Sequence, residues 1–217
     1  MLARAACFFA GIAVVAVGDL LGDGPLTLHM ASHGLAVAVG APLIVLARPV
    51  TLMLRGLPRP AARRLAGLIR APALRALLWP PLALLAFVAV QLGFHLTPLF
   101  GRALRDESLH AAEHLLFLAT ALWLWTVCLA VEPLPRRWPP LPRAGLLMAA
   151  MMLSDVGAVR LMLDGEAAAG AAMVVSMMPL GLGAVAVVWT GIVREERLES
   201  RRGSAAAARR EAAHAAG

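Results

Sequence analysis

The chain has 217 residues, 60% of them hydrophobic and 15% charged, where a soluble domain averages about half and about a quarter. That balance argues against a soluble globular fold. The formal charge of +7 does not point to nucleic acid either, because the basic residues, all of them Arg, punctuate apolar runs and do not gather on a polar or aromatic face.

A membrane span needs about 20 largely apolar residues. Six runs qualify: 5–22, 27–47, 76–98, 108–131, 144–163 and 167–193. The first has a basic start and a small-residue stretch around Ala16 and Gly18, so it also reads as a signal peptide. We read it as a retained span, because the charges of the later connections agree only if it stays. The connection after it, 22–25, carries one acid and no base; the next, 48–75, carries Arg48, Arg55, Arg59, Arg63, Arg64, Arg70 and Arg75. Basic loops stay in the cytoplasm. The connection 99–107 balances two Arg with Asp106 and Glu107, 132–143 sets three Arg against Glu132, and Asp164-Gly165-Glu166 is acidic. The tail beyond Trp189 carries six Arg. This alternation predicts an all-α, polytopic integral membrane protein with six transmembrane helices and both termini cytoplasmic. Residues 1–193 form the bundle, with a cytoplasmic Arg- and Pro-rich connection at 48–75, and 194–217 form an Ala- and Arg-rich cytoplasmic tail. Within that connection, ARRLAGLIRA is either a small interfacial helix or a solvated loop. The tail either frays or forms a surface helix, and its His214 is set aside.

Cys7 and Cys128 stand alone in apolar runs, which supports neither a disulfide nor a cysteine metal site. No nucleophile elbow, phosphate loop, zinc-hydrolase motif or paired catalytic carboxylates occur, so no enzyme activity is expected. The chemistry lies in five histidines. His29 and His33 open the second span, His95 closes the third, and His110 and His114 open the fourth; on the topology above, all lie within about two turns of the outer surface. Each HxxxH pair stacks two imidazoles on one helix face, and two facing pairs can supply four metal ligands. The alternative is a set of polar residues hydrogen-bonded between helices or wetted by headgroups. Imidazole suits zinc, copper, iron and nickel alike. Met30 beside His29, and Met173 near the outer end of the sixth span, would favour Cu(I), or are packing residues. Glu113 could orient an imidazole as a second carboxylate shell or pair with Arg102 or Arg105. Asp19, at the same depth, could orient an imidazole or face headgroups. Asp155 and Arg160, five residues apart in the fifth span, fall on different faces and each calls for a partner on another helix, unless Arg160 snorkels outward. Gly170, Pro179, Gly181 and Gly183 predict close packing and a kink in the last span.

Two of these blocks carry a family resemblance. LHMASHGLAVAVGAPLIVLARP (28–49) and HAAEHLLFLATALWLW (110–125) resemble the histidine blocks of the multi-span CtaG-type assembly factors of cytochrome c oxidase. The stretch from Glu166 through Gly170 to Met173 resembles a weaker third motif, with Glu166 where that family has Gln. The resemblance implies a bacterial-type inner membrane location and help in maturing a haem-copper oxidase, by delivering or inserting copper. It matches His29, His33, His110 and His114 to the family's histidines and Glu113 to its acidic position.

The reading that follows is a metallochaperone. It binds copper through His29, His33, His110 and His114, with His95 in reserve, and its partner is an oxidase subunit or other copper protein on the outer side. Two alternatives remain: a b-type haem held between histidines of facing helices, serving electron transfer, or a copper transporter, which needs polar groups continuing across the membrane.

Overall fold

The computed structural model describes residues 2–22, 24–134 and 137–215, with side chains through residue 204. Asp23, the acid of the 22–25 connection, Arg136, one of the three Arg of 132–143, and the side chain of His214 therefore lie outside the described residues. Helices and the turns between them make up the described residues, without strands. Helix α1 is Leu2–Gly22; α2 is Leu26–Gly34, which runs through a π-helical stretch, Leu35–Gly40, into α3, Ala41–Leu46. Three short helices follow: α4 (Pro49–Gly56), α5 (Arg59–Arg70) and α6 (Pro72–Leu77). Then come α7 (Pro80–His95), α8 (Leu99–Ala103), α9 (Glu107–Leu129), α10 (Pro140–Leu163) and α11 (Ala167–Ala215).

Five helical segments are long and apolar enough to cross a membrane: Leu2–Gly22, Leu26–Gly56, Glu107–Leu129, Pro140–Leu163 and Ala167–Ser204. The third run expected from the sequence differs. Its helix breaks at Leu78-Trp79, where Pro80 and Pro81 can start a helix but cannot continue one, leaving α7 with 16 residues, about 24 Å of rise. That is shorter than a bilayer core of about 30 Å. Helix α7 nevertheless packs inside the bundle, against α9 and α10.

Lipid offers no hydrophobic drive for helix association, so close van der Waals fit must hold such a bundle. The core supplies it with small residues, Ala38, Ala41, Ala83, Ala121, Ala150 and Ala184, set between Phe87, Phe117, Leu124 and Trp125. Gly183 shows how tight the fit is: a Cβ there would strike the Trp125 indole. The Trp125 ring also donates its Nε1–H to the Val37 carbonyl at 2.9 Å. Val37 lies in the π stretch, where the ladder of backbone bonds is re-registered. The indole thus stabilises the wide turn that directly follows the α2 histidines.

Local chemistry sets the ends. Asp106 caps α9, its carboxylate accepting from Ser108 and Leu109 N–H, and the Ser108 hydroxyl bond above all holds its carboxyl below the ordinary range. That cap starts α9 one turn before His110. Gly165, at φ +94°, turns α10 into α11 in a conformation that suits a residue without Cβ. ARRLAGLIRA is helical as far as Arg70, within α5, and has no fully buried residue, so it is a helix and not an irregular loop. The tail continues α11 as helix to Ala215, and α11 passes through Pro179 without interruption.

Arg160 corrects an expectation. It bonds Asp164 one turn further along its own chain, Nε to Oδ2 at 2.8 Å, and not another helix. Asp155 finds no partner for its buried Oδ1 among the described residues.

Candidate metal centre

The antiparallel packing brings the start of α2, the end of α7 and the start of α9 to one end of the bundle, beside the last turn of α1. His29, His33, His110 and His114 each present a ring nitrogen there, and these atoms all lie within 4.8 Å of one another. The two i,i+4 pairs face each other as their spacing predicts: ring centroids are 4.4 Å apart within each pair and 4.7 Å apart between His33 and His114.

Backbone and carboxylate bonds fix two of the rings. His29 donates Nδ1–H to the Gly22 carbonyl at 3.0 Å, so its Nε2 carries the lone pair; that Nε2 is buried and has no partner among the described residues. His114 turns its Nδ1 to Asp19 Oδ1 at 3.0 Å, which aims its Nε2 at the Nε2 of His33, 3.0 Å away, and of His110, 2.9 Å away. One lone pair cannot satisfy two such neighbours by hydrogen bonding. Nitrogens about 3.3 Å apart are what tetrahedral coordination at 2.0–2.1 Å requires, so the observed spacing is close to that of a ligand set. The buried, unpartnered His33 Nδ1 is the remaining orphan of this group. On the ordinary rule that buried polar atoms are partnered, the donor set fits a metal ion.

The same end of the bundle holds the other residues singled out above, in unequal roles. His95 lies beside the four, its ring 6.2 Å from His33, sandwiched between Phe100 and Phe117. Its Nδ1–H goes to the Gln91 carbonyl at 2.7 Å and its buried Nε2 has no partner among the described residues, but it is not one of the four convergent nitrogens. Gly157 makes room for it, since a Cβ there would stand 3.0 Å from that of His95. Glu113 is fully buried, both carboxylate oxygens unpartnered. Among the described residues it forms no ion pair with Arg102 or Arg105 and no hydrogen bond to an imidazole. The carboxylate that orients one is Asp19, which is largely exposed. Met30 and Met173 are buried together in an apolar cluster with Ala158, Leu161 and Ala169.

Sequence reasoning passed over Gln91. Its side chain is buried, with neither end partnered among the described residues, one turn before His95. The signal was present, since Gln91 and His95 are the only polar side chains of the run 80–95.

Two clefts reach the centre. One of about 220 Å³ opens beside Asp19, Glu107 and His110, and leads to His114. The other, about 320 Å³, lies between α1, α2 and α9, with Ile12 and Leu118 on its walls and His33 and His114 at its base.

The chain is 34% identical over 137 residues to uncharacterized proteins of Mycobacterium bovis and Mycobacterium tuberculosis, and 31% to one of Mycobacterium leprae. Each match covers 60% of this chain and 21% of the relative, so the chain spans about a fifth of the length of these curated relatives. No solved structure matches it. The family model for the cytochrome c oxidase caa3 assembly factor matches residues 1–194. With its histidine blocks inside that match, the chain belongs to the caa3-type cytochrome c oxidase assembly factor family.

Proposed function

We propose that this protein binds copper through His29, His33, His110 and His114 and assists its delivery or insertion into a haem-copper oxidase. It would cross the membrane six times with both termini cytoplasmic, and the histidine end would face the outer side. The observation that carries the reading is the convergence of four ring nitrogens within 4.8 Å, inside a family of oxidase assembly factors. Copper is cargo here. Neutral imidazoles hold the ion; His29 and His33 are buried whereas His110 and His114 are partly exposed, so a partner's ligands can displace the outer pair first. The cleft at Asp19 and His110 gives that partner access from the membrane face. A metallochaperone in this sense needs no catalytic group.

Haem fits less well. A macrocycle between two axial imidazoles needs an open slab, and the four rings lie against one another at centroid separations of 4.4 to 5.9 Å. A transporter is also less well supported, because the core continues from the histidines into Val37, Ala41, Phe87, Leu124 and Leu147. The test is the metal content and visible spectrum of the full chain purified without chelators. Copper without a Soret band is expected. A Soret band would replace copper with haem, and a metal-free protein that does not take up added copper would refute the reading.

A further inference from the structure

The opposite end of the bundle contains a second built feature, which the metal reading does not use. A cleft of about 450 Å³ opens where α9 ends, α10 begins and α11 passes alongside. Arg48, Arg137, Arg143 and Arg194 all line it, each from a different element: the α3–α4 junction, the connection before α10, the first turn of α10 and the α11 helix. Among the described residues one acid, Glu195, shares the lining. Glu132, nearby, has its carboxylate committed to Val50 N–H, Thr51 N–H and the Thr51 hydroxyl. None of the four guanidinium groups forms an ion pair among the described residues. Two are held in place by carbonyls: Arg143 by Cys128 and Leu129, Arg137 by Glu132.

Four cations converging on one cleft repel one another. Such an arrangement is relieved by an anion that accepts several N–H groups at once, and phosphate matches guanidinium geometry in this way. The rest of the lining says what the phosphate is attached to. Leu129, Val131 and Leu198 make part of the wall apolar, and Trp138 is the kind of amphipathic ring that sits at headgroup level. Basic pockets between transmembrane helices take up lipid headgroups.

We propose that this cleft binds the headgroup phosphate of an anionic phospholipid, with Arg48, Arg137, Arg143 and Arg194 as its ligands and the glycerol end against the apolar wall. The site is independent of the histidine centre.

The test uses the full chain in detergent, with native mass spectrometry reading retained lipid after addition of phosphatidylglycerol, phosphatidylcholine or inorganic phosphate. Phosphatidylglycerol should be retained in preference to phosphatidylcholine. Arg48→Gln with Arg194→Gln should weaken its retention about thirtyfold, whereas Arg63→Gln with Arg64→Gln, an equal charge loss on α5, should change it less than about twofold. Should the cleft pair fail to fold, Arg194→Gln alone, an exposed side chain that donates no hydrogen bond among the described residues, should weaken retention about fivefold. An equal fall for both pairs would mean diffuse attraction, and no preference over phosphatidylcholine would mean no headgroup site. Displacement of the lipid by millimolar inorganic phosphate would make the occupant a free anion. Each of these three results overturns the proposal.

Discussion

The histidine end and the arginine end of this bundle both set polar side chains among apolar helices, but treat them differently. At the arginine end, Glu132 and Arg143 serve the chain's own backbone. Glu132 accepts the first free N–H groups of α4, and Arg143 donates to the last carbonyls of α9. At the histidine end, ring nitrogens of His29, His33 and His95, the Gln91 amide and the Glu113 carboxylate are buried and unpartnered among the described residues. Helix ends that must be closed are closed by the chain itself, whereas polar atoms left open at one depth mark a place where something else completes the bonding.

That contrast can be broken at either end. The largest stability loss should come from Glu132→Ala, which strands two partly buried N–H groups at the start of α4 and should cost about 2 kcal/mol, read as a lower midpoint in detergent unfolding with metal binding unchanged. A neutral result would mean that the carboxylate does not hold α4. At the other end, Asp19→Asn should lower copper affinity about tenfold, because the carboxylate that aims His114 is weakened, while leaving the unfolding midpoint where it was. A smaller effect, about 1 kcal/mol in stability, is expected for Trp125→Phe, which keeps the ring against Gly183 and loses the bond to Val37. Smallest of all, Met30→Leu and Met173→Leu should leave copper affinity within about twofold, as packing substitutions do. Loss of copper in either would bring a thioether into the ligand set.

How much of this was legible in the sequence follows the range of the interactions. The HxxxH pairs are i,i+4 patterns, and a helix converts that spacing directly into a shared face. Their meeting across the bundle followed from topology, because antiparallel spans carry the start of α2 and the start of α9 to the same end. Asp19 was visible at the right depth, but its partner, His114, is 95 residues away, and no local pattern links them. Glu132 reaches Val50 and Thr51 over 82 and 81 residues, and in the sequence it is only one charge in a loop. Glu113 sits between two histidines in sequence, yet its direction on the helix differs from theirs, so adjacency misled where periodicity did not. The break before α7 was written in Pro80 and Pro81, but the apolar run around them masked it.

The central claim is that four histidines from two helices form one metal centre. Replacing His33 and His114 together by Ala removes one ligand from each helix, and copper per folded chain is the quantity to measure in parallel with the unaltered protein. Copper retained by the parent chain and lost from the variant, at equal membrane insertion, is the predicted result. An unchanged copper stoichiometry in the variant would contradict it.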